Sequence, residues 1–378
     1  MKVLHITNWY PYDNDQNGDF IQRHIDIAKT ISDTKMVHIE VREGKWKFIN
    51  TLKSGNLDRR LLIYTPIKSF KVKEILTAIL IFYFYLQEKE KYDLYLFHIA
   101  YPTLRFTKFI LRLFNNKIAI LEHWSAYSQG FFLPEESKAR QKIASIFRHN
   151  MPVIAVSKML MQDIVTFAKY DKFDKYIVPN AINENYFYLK KEENKDEITF
   201  LMLGAWDSKY KQLMIGVKAF HKAVEVNSNI KLLIGGDGDK KLNEVRDYIK
   251  ENSILKDKIV FLGVLEYKDV GDFMRKANLL LHPSTMETFS LVCAESMFCG
   301  TPVFASNLPA IASYMTEYNG KLLENKQEVW DEALIDFVKT PNIFDYKKVG
   351  ENVRNTYSNK AVAQKMKEVF TNIIQKRR

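Results

Sequence analysis

The stretch His282-Pro-Ser-Thr-Met-Glu-Thr-Phe-Ser-Leu-Val-Cys-Ala-Glu-Ser-Met-Phe-Cys-Gly-Thr-Pro-Val303 holds two glutamates, Glu287 and Glu295, with seven residues between them. An apolar run over 279–282 leads into it, and a second begins at Pro302. Between them, residues 288–300 read as a short helix: Ser290 near the start, apolar Leu291, Val292, Met297 and Phe298, and Gly300 as the stop. Strand, helix, strand in so short a span is the unit of a parallel α/β sheet. Free amides at a helix N-terminus suit a phosphate, whereas a carboxylate beside them repels phosphate and accepts hydrogen bonds from sugar hydroxyls. The pair therefore fits a nucleotide-sugar, with amides on the diphosphate, Glu287 on the sugar and Glu295 on the ribose. An N-capping glutamate followed by a solvated helix glutamate is the plainer alternative.

The same alternation runs outward in both directions. Apolar runs at 3–7, 36–41, 61–64, 93–98, 118–122 and 153–156 alternate with helical patterns near 19–31, 72–90, 103–115, 138–149 and 158–169. Pro179-Asn180 and the charged run 190–197 mark a linker. A second series follows, with strands at 198–203, 231–234, 258–261, 279–282 and 302–305. Two parallel sheets covered by helices are expected, with ligands at the carboxyl ends of the strands.

Composition agrees with two globular domains: 378 residues, 47% hydrophobic and 27% charged. Cys293 and Cys299 both fall in the expected helix 288–300 and cannot readily pair, which fits a reducing cytoplasm. No signal-peptide pattern is read at the N-terminus, and the most apolar window, 75–86, is too short to span a bilayer. The net charge of +11 is uneven: residues 1–182 carry 27 Lys and Arg against 18 Asp and Glu, and the remainder is nearly balanced. Lys68, Lys71 and Lys73 precede the apolar window, and Arg105, Lys108 and Arg112 interleave with Phe106, Phe109, Leu113 and Phe114. Such helices either lie on an anionic membrane surface or pack one face on a sheet with solvated lysines outside. Nucleic acid is not expected, because no recognition motif appears and the basic groups are scattered.

Several short motifs occur in one order along nearly the whole chain. They are Lys2-Val-Leu-His-Ile-Thr-Asn-Trp-Tyr-Pro11 with Asn17-Gly-Asp-Phe-Ile-Gln-Arg-His-Ile25, Leu121-Glu-His-Trp-Ser125, Val153-Ile-Ala-Val-Ser-Lys158 and Ile177-Val-Pro-Asn-Ala181. Thr199-Phe-Leu-Met-Leu-Gly204, Lys211, Leu233-Ile-Gly-Gly-Asp-Gly238, Val260-Phe-Leu-Gly263 and the paired glutamates complete the set. Together they resemble the retaining family 4 glycosyltransferases, which carry an E-x7-E motif on a GT-B fold.

The resemblance implies two Rossmann-like, doubly wound domains. Residues 1–182 would bind the acceptor and 183–356 the nucleotide-sugar, and 357–378 would form a helix crossing back to the first domain. It places Lys211 and the amides of Gly18 and of Phe289, Ser290 and Leu291 on the diphosphate. Glu287 would hold the sugar, Glu295 the ribose, and His123 would line the sugar pocket near the anomeric carbon. Gly204, Lys209, Gly236 and Thr288 complete the implied donor site. No metal and no cofactor is expected, the nucleotide-sugar entering as substrate, with UDP favoured over GDP. The implied acceptor is a glycan or an anionic, lipid-linked sugar for cell-surface polysaccharide or glycolipid. The protein would be cytoplasmic, with peripheral contact to an anionic membrane.

The chain departs from the family pattern in places. Ala205 stands where an arginine is usual, leaving Lys209 as its substitute, and a lysine is not an arginine fork. Thr288 and Ser290 stand where glycines are usual, Pro309-Ala310 replaces a glycine pair, Ser313 a glutamate, and Asn17 a glycine of the first loop. These departures keep open a GT-B partner subunit without turnover, and a nucleotide-sugar epimerase of similar architecture is a further alternative. Leu233-Ile-Gly-Gly-Asp-Gly-Asp239 lacks the third glycine of a dinucleotide fingerprint, Lys241 standing there instead. Asp237 and Asp239 are expected to shape a turn, and His5, inside a strand, to belong to the core.

Overall fold

The computed structural model describes residues 1–9, 18–54, 57–88, 90–127, 137–189, 197–287, 289–341 and 343–376. Asn17, most of the linker run and Thr288 lie outside the described residues. The chain divides into two compact units, Met1–Ala181 with Asn359–Arg378, and Ile182–Ser358.

In the first unit the strands are β1 (Lys2–Thr7), β2 (Asp33–Glu43), β3 (Lys47–Ser54), β4 (Leu57–Thr65), β5 (Leu94–His98), β6 (Ile118–Glu122), β7 (Val153–Ala155) and β8 (Lys175–Ile177). They form one sheet in the order β3-β4-β2-β1-β5-β6-β7-β8. Every described pairing is parallel except β3 with β4. Strands β5, β6 and β7 are buried along their whole length, which is why they read as unbroken apolar runs rather than as alternating ones. Successive side chains enter opposite cores. Leu4, Tyr95, Phe97 and Ile120 face one, shared with Leu80, Ile81 and Phe84 of the helix Phe70–Gln87. Val3, Leu94, Leu96 and Leu121 face the other, where Val362, Met366, Val369, Phe370 and Ile373 of the helix Asn359–Lys376 cover them. The 3.6-residue spacing of those five puts them on one stripe.

The second unit holds β9 (Ile198–Leu203), β10 (Ile230–Gly235), β11 (Ile259–Gly263), β12 (Leu279–His282), β13 (Val303–Ser306) and β14 (Gly320–Leu323), ordered β11-β10-β9-β12-β13-β14 and parallel throughout. Phe200, Met202, Leu281 and Phe304 meet the helices Leu213–Val226 and Gln327–Lys339. Leu201, Leu203, Leu280 and Val303 meet the helix Leu291–Phe298 on the other face.

Three strands differ from the sequence expectation. β3 is an edge hairpin strand whose Phe48 and Leu52 face outward, so no buried periodicity marked it. β8 and β14 are short edge strands, of three and four residues. The helix expected over 103–115 is confined to Thr107–Leu113, with turns from 101 to 106. Among the described residues no helix is long and apolar enough to cross a membrane.

Candidate active site

In the second unit the strand order reverses between β9 and β12, and at such a switch point the loops leaving the strands part and open a crevice. The backbone there is tightly stitched. Gly204 donates its N–H to the Gly235 carbonyl at 3.2 Å, and Gly236 donates to Gly263 at 2.8 Å. Trp206 is buried, its indole N–H on the Gly235 carbonyl at 3.1 Å and its backbone N–H on that of Asp237 at 2.7 Å. Asp237 thus serves the turn, as expected. Residues 208–212 are tied to the loop after β12: Lys211 bridges to Ser284, Gln212 donates to the Pro283 carbonyl at 3.0 Å, and Thr285 donates to that of Tyr210 at 2.9 Å.

This stitching brings Lys211 to Glu287. The Lys211 ammonium lies 2.5 Å from Glu287 Oε1, which also accepts from His282 Nε2 at 2.8 Å. Ser290 Oγ is 3.1 Å and Lys211 Nζ 3.2 Å from the same imidazole nitrogen. Because a carboxylate only accepts, the proton of His282 sits on Nε2. Burial opposes the charge of Glu287, but the hydrogen bonds and charges of His282 and Lys211 outweigh it and hold the carboxyl at about 2. Burial, followed by the Lys211 charge, lowers the pKa of His282, against the pull of Glu287. Glu287 is therefore an anion at neutral pH, with the Lys211 side chain poised beside it.

The helix begins at Leu291, not at Thr288 as the sequence suggested. Ser290 precedes it with a left-handed backbone, φ +64°. That conformation explains why a glycine is natural at this position. The Tyr314 hydroxyl, 2.6 Å from the Phe289 carbonyl and 3.1 Å from that of Ser290, buttresses the turn. Phe289 is itself buried, its ring packed on Tyr314 and Tyr357, and Leu291 opens the helix. Glu295 lies in the second turn, as expected, buried and bonded to the Tyr267 hydroxyl. Lys209 sits over the Tyr210 ring at 5.0 Å and makes no ion pair among the described residues.

Sequence reasoning missed His282, which reads as the last apolar-run residue of β12 and turns out to join Glu287. It also missed Lys241, whose ammonium holds the Ser208 carbonyl at 2.8 Å and that of Lys211, clamping the lysine loop from below. A third missed group is Ser306 with Asn325. Ser284 donates to Ser306 Oγ at 2.8 Å, and Asn325 donates to the Ser284 carbonyl at 2.8 Å, fixing the loop that carries Glu287. These are single polar residues without a spacing signal.

In the first unit the order reverses between β1 and β5. Gly18, in left-handed backbone, opens the helix Asp19–Ile31 and takes hydrogen bonds from Ile21 and Gln22 at 2.8 and 3.0 Å. His123 follows β6 and is partly exposed, with its Nδ1 buried. Its loop is pinned by Glu122, whose buried carboxylate takes the N–H groups of Ala100, His123 and Trp124, each at 3.0 Å, and the Tyr127 hydroxyl at 2.8 Å. Burial pushes that carboxyl up, against the four donors. At the carboxyl ends of β1, β2 and β5 lies a cavity of ≈ 330 Å³ walled by Trp9, Phe70, Tyr101 and Trp124, with Glu40 and Glu74 on its lining. His5, expected as core, is buried and bonded to His98.

Comparison with known proteins shows what this chain is similar to. Residues 188–356 match the family model described as glycosyl transferases group 1. An uncharacterized glycosyltransferase of Methanocaldococcus jannaschii is 25% identical over 362 residues, covering 93% of this chain and 92% of the relative. This chain has the GT-B fold and is similar to glycosyltransferases. The O-antigen chain mannosyltransferase RfbU of Salmonella typhimurium is 27% identical over 193 residues, half of this chain and 52% of that relative. Among solved structures, Anabaena HepE in complex with UDP superposes with a TM-score of 0.74 at 15% identity, over 98% of this chain and 100% of that one. Sucrose-phosphate synthase from Thermosynechococcus elongatus gives 0.73 at 16%, over all of both chains. At these identities the two structures speak for the fold alone.

Proposed function

We propose that this protein is a glycosyltransferase that moves a sugar, with retention of anomeric configuration, from a nucleotide-sugar to a glycan or lipid-linked acceptor in cell-surface polysaccharide or glycolipid synthesis. The carrying observation is the Lys211–Glu287–His282 cluster at the switch point of the second unit. Lys211 neutralises the departing diphosphate together with the first amides of the helix Leu291–Phe298. On donor binding its ammonium turns from Glu287 to phosphate, and Glu287 takes sugar hydroxyls in exchange. His282 keeps a hydrogen bond on the carboxylate throughout and so fixes its direction. Glu295 serves the ribose and His123 lines the sugar. UDP is favoured as the donor base because the solved relative HepE is held with UDP.

The acceptor sugar fits the first unit's cavity. Its aromatic walls offer stacking faces for the C–H side of a pyranose, and Glu40 and Glu74 offer acceptors for hydroxyls. With Lys73 on the lining engaged by Glu43, the two carboxylates disfavour an anion inside the cavity itself. The charged part of an anionic acceptor belongs on Lys68 and Lys71, both exposed, the first just ahead of the helix Phe70–Gln87 and the second in its first turn. The relative RfbU is named for O-antigen, which agrees with a surface glycan. A cytoplasmic protein with peripheral membrane contact follows from this reading.

The test is a thermal-shift and calorimetric screen against UDP-, GDP- and CMP-sugars with EDTA present, followed by NMR of the anomeric proton in the product. A ligand that binds only the native state raises the melting temperature once its concentration exceeds Kd. A shift with UDP-sugars in EDTA and a product of unchanged configuration are expected. Absence of any shift would transfer the reading to a partner subunit without turnover, and a shift abolished by EDTA would end the metal-independent one.

A further inference from the structure

Lys241 stands where a dinucleotide fingerprint would carry its third glycine. It is the third residue of the helix Asp239–Glu251, and the positive end of the helix dipole opposes a cation in that first turn. Its contacts offset this. The ammonium donates to the Ser208 carbonyl at 2.8 Å and also to the Lys211 carbonyl. A hydrogen bond from a charged donor is about twice as strong as a neutral one. The helix start abuts the same loop, since a Cβ on Gly238 would lie 2.6 Å from the Asp207 nitrogen. That close approach brings a side chain three residues further on over the two carbonyls.

Those carbonyls bracket the Lys211 Cα. In the peptide before it, the Lys211 N–H donates to the Ser208 carbonyl at 3.2 Å, and the Tyr210 carbonyl accepts from Thr285 at 2.9 Å. In the peptide after it, the Gln212 N–H donates to the Pro283 carbonyl at 3.0 Å, and the Lys211 carbonyl accepts from Lys241. All four polar groups of the two peptides are taken. Each peptide is planar, so anchoring both fixes the Cα between them and the direction in which the lysine side chain leaves the backbone. Thr285 and Pro283 belong to the loop after β12 that also carries Glu287. Lys241 supplies the opposite side, directly at the Lys211 carbonyl and through the Ser208 carbonyl that it shares with the Lys211 N–H. The base of the lysine is thus held between two anchors, and its ammonium ends on Glu287. A flexible four-carbon stem delivers its charge to one place only while that base stays fixed.

We propose that Lys241 is a positioning residue for Lys211: by bridging the carbonyls of Ser208 and Lys211 it sets the path of the Lys211 side chain toward the leaving diphosphate. The diphosphate end of this inference rests on the role given to Lys211 above, while the bridge stands on its own geometry. A bare staple between helix and loop predicts lost stability with Lys211 undisturbed. A positioning residue predicts a disturbed Lys211 in a protein that still folds and still binds the donor.

NMR of the ammonium groups in the full-length protein labelled with 15N-lysine separates the two without any substrate. The Lys211 signal is assigned by its loss in Lys211→Ala. In folded Lys241→Met it is expected to shift and broaden, and in Lys241→Arg, which keeps a charged donor for both carbonyls, to stay near its wild-type place. Lys241→Gln, too short to span the two carbonyls, gives the same reading should Lys241→Met not fold. An unchanged Lys211 signal in a folded Lys241→Met or Lys241→Gln protein overturns the proposal, whatever the reaction proves to be.

Turnover supplies the second test. In Lys241→Met kcat is expected to fall by about 10- to 100-fold, the effect of a small misplacement of an aligned group, with the nucleotide-sugar thermal shift retained. Added to Lys211→Ala, the same substitution should cost no further rate, because both act on one interaction. Losses that simply multiply in the double variant would refute the positioning role. A disturbed Lys211 signal together with full turnover of Lys211→Ala would instead defeat the diphosphate role assigned to Lys211 and leave the bridge in place.

Discussion

The Glu287 carboxylate is the most heavily committed charge in the second unit, shared between the Lys211 ammonium and His282. Removing one partner of a buried pair leaves the other charge uncompensated, which costs more than the pair itself contributes. Lys211→Ala is therefore expected to destabilise the second unit by about 3 kcal/mol in urea unfolding. It should also lower kcat by about 100-fold, since a cation on the leaving diphosphate is lost. Glu287→Gln removes charge but keeps shape and one acceptor, so its stability loss should stay near 1 kcal/mol while activity falls comparably. Wild-type turnover in a folded Lys211→Ala protein would defeat the role of Lys211. Lys211 and Glu287 were legible in the sequence because they stand in recognisable motifs. His282 and His98 were not, because a histidine closing an apolar run looks the same whether it packs or bonds.

At the scale of elements, the turns decide whether the site assembles. Gly236 has φ +116°, and a Cβ placed on it would lie 1.8 Å from the Gly204 carbonyl oxygen, which is backbone and cannot rotate away. Gly263 has φ +69° with nothing within 4 Å of such a Cβ. Gly263→Ala should thus cost only the left-handed strain, about 1–2 kcal/mol. Gly236→Ala adds a backbone collision and should cost about 3–5 kcal/mol, enough to lose the nucleotide-sugar shift as the Gly204–Gly236 contact opens. Equal melting temperatures for the two variants would contradict that close approach. The helix Leu291–Phe298 carries a related lesson. Its start was read three residues early because the apolar pattern does not report φ, and only the Tyr314 buttress shows Ser290 held outside the helix. The edge strand β3 escaped for the opposite reason, an outward apolar face with no covering layer.

For the whole molecule, the exposed apolar patch on the helix Phe70–Gln87 is expected to meet a membrane surface. Ile75, Ile79, Phe82 and Leu86 lie on one side of the helix Phe70–Gln87 and are 41 to 62% exposed, while Leu80, Ile81 and Phe84 fill the core beneath. Phe82 meets Phe109 of the neighbouring helix with ring centroids 5.9 Å apart, extending the patch, and Lys68, Lys71, Lys108 and Arg112 are all exposed around it. Apolar residues framed by lysine and arginine suit the surface of an anionic membrane, the arrangement that would deliver a lipid-linked acceptor. The full chain should sediment with phosphatidylglycerol vesicles and not with neutral ones. Lys68→Ser with Lys71→Ser should weaken that binding by about 30-fold, from roughly 1 kcal/mol per charge. Lys73 is ion-paired with Glu43 at 2.9 Å, so Lys73→Ser should matter less. Equal sedimentation of wild type and double variant would dismiss the surface.

The sequence by itself determined the two series of buried strands and their helices. Residues in a covered parallel sheet are apolar along their length, and the breaks between them carry glycine, proline and charge. It also determined which short motifs would sit at the strand ends. Only the tertiary structure decided the polar partnerships. Lys211 stands 76 residues from Glu287, and His5 stands 93 from His98, and each pair meets because parallel neighbours in a doubly wound sheet are distant in sequence. A hydrogen bond of that kind depends on register and on loop closure across whole elements, which leave no periodicity at either partner.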